Sequence, residues 1–155
     1  RMDQMIAENR IYFGSGNRVP RLKRFLSETG ASLVPNTWWP GDEVGTADSA
    51  KRHLKAMFPG LIPFETPKPE ELAARIINIS TNPGDTVIDI YGGSGTTAAV
   101  SQKLGRRWIT CEREDRTFYE FLKPRLDLVV SRADTGGIDY RSDLELAKTF
   151  RLITS

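Results

Sequence analysis

The sequence predicts an α/β fold with an irregular N-terminal region, and three observations carry that expectation. Residues 86–90 (Thr-Val-Ile-Asp-Ile) read as a short apolar strand that runs into a glycine-rich turn, Tyr91-Gly92-Gly93-Ser94-Gly95. Thr96 and Thr97 open a helix directly after that turn. Arg107-Trp108-Ile109-Thr110-Cys111-Glu112 then supplies a second strand with an acidic end. Strand, tight turn, helix and strand in that order make a parallel β–α–β unit.

The elements follow in order. Residues 1–64 are irregular: Ile11-Tyr12-Phe13 reads as a strand before the turn Gly14-Ser15-Gly16-Asn17. Leu22, Phe25 and Leu26 suggest a short amphipathic segment ending near Gly30, and Trp38-Trp39-Pro40-Gly41 reads as a loop. Asp48 is placed to cap a helix running to Met57, with Ala50, Leu54 and Met57 on one face. Residues 65–135 are regular. Pro69 has a preset φ for a first helical turn, and Glu70 and Glu71 suit its positive end. Leu72, Ala73, Ile76 and Ile77 continue that helix to the turn Asn82-Pro83-Gly84-Asp85. The helix after the glycine turn runs from Thr96 to Leu104, with Gly105 placed to end it. A last helix starts near Arg116 and bends at Pro124. Residues 136–155 form a tail of mixed charge.

Composition sets the outer bounds. At 155 residues, 39% hydrophobic and 27% charged, the chain has the make-up of one globular domain or part of one. It has no apolar run long enough to span a bilayer, and a single cysteine, Cys111, which fits a reducing cytoplasm. Cys111 reads as a small buried hydrophobe, and His53 as a solvated residue on a lysine-rich helix face. A net charge of +2 does not by itself call for nucleic acid. Between Arg10 and Ser27, however, five basic residues (Arg10, Arg18, Arg21, Lys23, Arg24) occur with no acidic one. Such a strip suits phosphate contacts as well as it suits a solvated loop.

The glycine turn admits three ligand classes. A phosphate-gripping loop needs a lysine after its last glycine, and none follows Gly95. A dinucleotide fits the relaxed pattern Gly93-x-Gly95-x-x-Ala98 with Glu112 downstream for a ribose. Asp89 at the mouth of the turn opposes it, because a pyrophosphate would stand beside a carboxylate. S-adenosylmethionine matches the charges better. Its adenosine ribose suits Glu112, and its cationic ammonium and sulfonium suit Asp89. Its carboxylate suits the hydroxyls of Thr96 and Thr97, the loop N–H groups and Lys68.

Thr66-Pro67-Lys68-Pro69-Glu70-Glu71-Leu72, followed by Asp89-x-Tyr91-x-Gly93-Ser94-Gly95-Thr96-Thr97 and Glu112, resembles the amino-methylating DNA methyltransferases of the permuted (beta) class. In that class the cofactor motifs follow the catalytic motif, and Tyr91 stands here where a Phe is usual. Ile11-Tyr12-Phe13-Gly14, Pro35-Asn36-Thr37-Trp38, Asp42-Glu43-Val44-Gly45, Arg125-Leu126 and Gly136-Gly137-Ile138 are similar to the modification subunits of type III restriction-modification systems. The resemblance implies a partial Rossmann-like S-adenosylmethionine-dependent methyltransferase fold. Residues 1–64 would be the end of a DNA-recognition region, 65–135 the cofactor-binding part and 136–155 a tail.

The resemblance also assigns roles. Asp89, Ile90, Tyr91, Gly92, Gly93, Ser94 and Gly95 would hold the methionine part and ribose, and Glu112 would accept the ribose hydroxyls. Thr66, Lys68, Pro69, Thr96 and Thr97 complete the cofactor site, with Thr66, Lys68 and Thr97 toward the carboxylate end. Arg18, Arg21, Lys23 and Arg24 are the candidate DNA contacts. The partners implied are double-stranded DNA, a restriction subunit and a second copy of the chain. No metal is required, since methyl transfer from a sulfonium needs only alignment.

The family's [DN]PP[YFW] segment, whose polar group and ring grip a flipped base, does not occur in these residues. No catalytic residue is therefore assigned. The expectation is the C-terminal part of an adenine-N6 DNA methyltransferase, inactive alone. The alternatives are an N4-cytosine methyltransferase fragment, or an NAD-binding oxidoreductase fragment in which the same turn takes a dinucleotide. The strand at 86–90 would then have an open edge, to be paired by another copy or covered by the N-terminal segment.

Overall fold

A computed structural model describes residues 1–16, 19–28, 34–62 and 64–153. The chain divides into two compact units, Arg1–Asn36 and Thr37–Ser155. In the first unit, helix α1 (Met2–Ala7) precedes a two-stranded antiparallel ribbon, β1 (Ile11–Tyr12) with β2 (Arg21–Leu22), and a 3-10 turn at Leu26–Glu28. The amphipathic segment expected around Leu22 is therefore split, because Leu22 pairs with Ile11 across the ribbon. Arg10 donates to Glu28 and, at 2.9 Å, to Glu8. These partners hold its guanidinium protonated well above the ordinary range, chiefly through the Glu28 hydrogen bonds.

The second unit begins with the short α2 (Gly41–Val44) and α3 (Ala47–Met57). The cap of α3 is Thr46, not Asp48. Thr46 Oγ1 accepts the Ser49 N–H while Ser49 Oγ accepts the Thr46 N–H, a reciprocal box that leaves Asp48 exposed in the first turn. Helix α4 (Glu70–Ser80) starts one residue later than its proline, and Pro69 is an extended N-cap at φ −68°, ψ 143°.

Strand β3 (Thr86–Asp89), helix α5 (Thr96–Lys103) and strand β4 (Arg107–Thr110) form the β–α–β unit. The strands are parallel, with Val87 beside Trp108 and Asp89 beside Thr110. Alternation puts Val87 and Trp108 on the covered face, while the other face shows Ile88, Ile90 and Ile109, all more than half exposed. Cys111 lies exposed just beyond the last strand residue, Thr110, not in the core as its chemistry suggested.

Helix α5 is the centre of the unit. It is buried on nearly every side between α4, the sheet and the C-terminal helix α7 (Lys123–Val130). Val100 and Leu104 pack with Ala74 and Ile77 on one flank, and Ala98 packs with Leu122 and Leu126 on the other. A helix enclosed this way needs small residues, which Ala98, Ala99 and Ser101 provide. Between the short α6 (Asp115–Thr117) and α7 runs a π-helical turn, Phe118–Leu122, which ends two residues before Pro124. The expected bend thus takes the form of a wider turn. The tail after 136 packs back on the unit: Gln102 donates to the Ala147 carbonyl at 2.7 Å, and Phe150 lies 5.6 Å from the Trp108 ring. Among the described residues β3 pairs only with β4, and β1 only with β2.

Candidate functional site

The turn between β3 and α5 is shaped by two glycines in the left-handed region, Gly93 at φ 52° and Gly95 at φ 80°. Four of its N–H groups are committed inside the protein. Tyr91 N–H donates to Asp89 Oδ1 at 3.0 Å and Gly92 N–H to the Cys111 carbonyl at 2.7 Å. Gly93 N–H donates to Glu112 Oε2 at 2.8 Å and Gly95 N–H to the Gly92 carbonyl at 2.8 Å. Two carboxylates therefore occupy the concave backbone that would otherwise attract an anion. An added Cβ at Gly92 would stand 2.5 Å from both Leu122 Cδ1 and Thr110 Oγ1, so a larger residue there would force those side chains to shift.

Beside the turn opens a cavity of about 470 Å³. One wall holds Asp89, Tyr91, Gly92, Gly93, Ser94, Thr96 and Thr97. The other holds Phe64, Thr66, Lys68 and the α4 residues Leu72, Ala73 and Ile76. Nine residues singled out by the sequence thus share one cavity. Glu112 stands behind the turn, holding Gly93 and the Glu114 N–H. Pro69 is buried at the start of α4, Gly95 is buried against Leu122, and Ile90 points from the exposed sheet face. Phe64 escaped the sequence reading, and its ring packs edge-on against Phe121 at 5.7 Å. Helical periodicity was the available signal for Leu72 and Ile76, but it marks a buried face without telling core from cavity.

Beneath the cavity lies a buried ionic network. Glu70, read from the sequence as a carboxylate suited to the positive helix end, is 2% exposed. It accepts from Arg125 Nη2 and Lys103 Nζ, both at 2.8 Å, and from the Ile138 N–H at 3.1 Å. Lys103 Nζ also lies 2.7 Å from Asp134 Oδ2, and Asp134 Oδ1 is 3.0 Å from His53 Nε2. His53 is thereby a partner in the network, not a solvated residue. Burial alone would push the Asp134 carboxyl up, but hydrogen bonds from His53 and Lys103 with the ammonium charge hold it well below the usual range. His53, Glu70 and Asp134 present ligand atoms within 4.8 Å of one another. The Lys103 ammonium already bridges the two carboxylates, so the cation of this cluster is the lysine.

In the first unit, Arg21 and Arg24 are exposed, and Lys23 Nζ donates to Asn9 Oδ1 at 2.8 Å. Arg10 is neutralised by its two glutamates, and Arg18 lies outside the described residues. Among the described residues no helix is long and apolar enough to cross a membrane.

Comparison with known proteins adds the following. A profile of a DNA methylase family, N6 and N4 methyltransferases, matches residues 14–123. The type II methyltransferase M1.MboII of Moraxella bovis is 57% identical over 112 residues, covering 68% of this chain and 42% of that protein. The type II methyltransferase M.BamHI of Bacillus amyloliquefaciens is 54% identical over 56 residues, covering 36% of this chain and 12% of that protein. The Mod subunit of the type III restriction-modification enzyme StyLTI of Salmonella typhimurium is 30% identical over 115 residues, covering 70% and 17%. The chain spans less than half the length of each of these relatives.

Proposed function

Because this chain belongs to the N6 and N4 DNA methylase family, we propose that it is the S-adenosylmethionine-binding part of a DNA adenine-N6 methyltransferase of a restriction-modification system. One observation carries the cofactor: the N–H groups of Tyr91, Gly92, Gly93 and Gly95 are all bonded inside the protein, two of them to Asp89 and Glu112. A pyrophosphate would meet carboxylates where it needs free donors, whereas a sulfonium and an ammonium meet favourable charge. The dinucleotide reading is disfavoured on this ground.

The rest of the cavity fits the same ligand. Leu72, Ala73, Ile76 and Phe64 offer an apolar surface for a purine. Lys68 and the Thr66 and Thr97 hydroxyls offer donors for a carboxylate. When bound, the cofactor supplies a methyl group on a positively charged sulfur. The residues of this chain hold and orient it. They hold no group that grips the target base. The exposed apolar pair Ile88 and Ile109, with Ile90, forms a sheet face that further methyltransferase helices would cover, as both faces of a parallel sheet are covered in a Rossmann-like fold. Arg21, Lys23 and Arg24 are the proposed phosphate contacts, and Arg18 extends the strip in sequence.

Adenine is proposed over cytosine from the likeness to the type III Mod subunit, and a restriction subunit as partner rests on the same relative. Self-association through the unpaired edge of β3 is the remaining proposal for a partner. Calorimetric titration with S-adenosylmethionine and with NAD tests the cofactor, and NAD binding at Asp89 would overturn it. Mass spectrometry of nucleosides from DNA treated with the full-length gene product separates N6-methyladenine from N4-methylcytosine.

A further inference from the structure

We infer that Arg125 is the positioning residue that holds the two walls of the cofactor cavity in register, an inference that rests on the S-adenosylmethionine reading. Arg125 is 1% exposed and does not line the cavity, so it acts only through its partners. Its Nη1 donates to the Ser94 carbonyl at 3.1 Å and to Thr96 Oγ1 at 3.0 Å. Its Nη2 donates to Glu70 Oε1 at 2.8 Å. Thr96 Oγ1 in turn donates to the Lys68 carbonyl at 3.3 Å. One guanidinium therefore ties the glycine turn on one wall to the 66–70 segment on the other.

Residue type and local structure both suit this task. A guanidinium is a rigid planar fork that fixes partners at set angles, and an ammonium on a flexible stem does not. Glu70 is anchored from the far side by Lys103, so the fork pulls on a fixed point. The π-helical turn aims the fork. One extra residue in the turn rotates everything after it by about 100° relative to a continuous α-helix. That turn also sets Leu122 beneath Gly92 and Gly95. Arg125 Nε is buried without a partner, an uncompensated donor of the kind retained where geometry matters more than stability.

The test compares two ligands on the full-length gene product, S-adenosylhomocysteine and 5′-methylthioadenosine. Both carry the adenosine and the sulfur, and only the first carries the amino-acid end that Lys68, Thr66 and Thr97 would receive. Arg125→Lys keeps a charge opposite Glu70. It is expected to weaken S-adenosylhomocysteine roughly tenfold or more while moving methylthioadenosine less than about threefold. Thr96→Val should reproduce this split, and Thr96→Ser, which keeps the hydroxyl, should restore the wild-type ratio. Equal losses for both ligands, or no loss, would overturn the inference. Wild-type protein that binds neither ligand removes the cofactor reading itself, and the inference with it. Arg125→Met is the stronger variant, but Arg125→Lys carries the test if the methionine variant does not fold.

Discussion

Glu112 Oε2 accepts the Gly93 N–H at 2.8 Å, so the carboxylate that follows β4 holds the turn that follows β3. The two residues follow neighbouring parallel strands, and the bond ties the turn to the residue proposed to receive the ribose. Glu112→Ala removes both the acceptor and the restraint on Gly93. It is expected to weaken S-adenosylmethionine roughly 10- to 100-fold, the worth of hydrogen bonds to a charged group. Glu112→Gln, with one amide oxygen left, should fall between. Unchanged affinity in the alanine variant, measured by calorimetry, would show that Glu112 does not serve the site.

Gly92 is closed in by Leu122 and Thr110. Gly92→Ala is expected to cost about 1–3 kcal/mol, the range for overpacking. Leu122→Ala alone leaves a cavity, but in the double variant the two defects should offset in part. The melting temperatures of the four proteins check this, and strict additivity would mean that Leu122 does not press on the turn.

The Asp134 carboxyl titrates below its ordinary value in the folded protein. An unfolded chain then binds more protons as pH falls, so the network contributes stability above the ordinary carboxylate value near 3.8 and loses it progressively below. Tyr140 behaves oppositely. Burial, then the charges of Asp134 and Glu70, push its hydroxyl up from 10.0 to about 12. Its contribution is present below pH 10 and is lost as pH rises toward 12. Urea unfolding across pH should show both limbs. Asp134→Asn should flatten the acid limb and cost roughly 2–4 kcal/mol at neutral pH, because Lys103 keeps only Glu70 as a charged partner. An acid limb unchanged in that variant would place the sensitivity elsewhere.

Ile88 and Ile109 are register partners, 65% and 53% exposed. Ile88→Ser with Ile109→Ser should leave the melting temperature of the 155-residue chain nearly unchanged, as surface substitutions do. In a longer methyltransferase whose further helices cover this face, as proposed, the same pair should strongly lower methylation, because each buried isoleucine is worth about 1.5–3 kcal/mol. Full activity in that double variant would mean that nothing covers this face. Size-exclusion chromatography of the short chain tells whether a second copy does.

The elements from Glu70 to Thr110 were legible because each depends on local chemistry. Pro69 and Gly105 bound their helices, and the run Thr86–Asp89 can only be a strand between a turn and a glycine loop. Helix α3 was legible as well, but its cap was not, since Thr46 and Asp48 are both good capping residues and only the box with Ser49 chooses. Glu70 looked like a favourable charge at a helix start, and nothing in the sequence singled out Lys103. Their burial depends on Asp134, 64 residues beyond Glu70 in sequence, and on Arg125. The sequence by itself determined the β–α–β order and the glycines of the turn, because turn and alternation are set within a few residues. Only the tertiary structure decided where those N–H groups donate, which charges are buried, and that Cys111 meets solvent while His53 joins the buried network. Apart from the Tyr91–Asp89 and Gly95–Gly92 bonds within the turn, these depend on pairing between residues far apart along the chain, which no local pattern encodes.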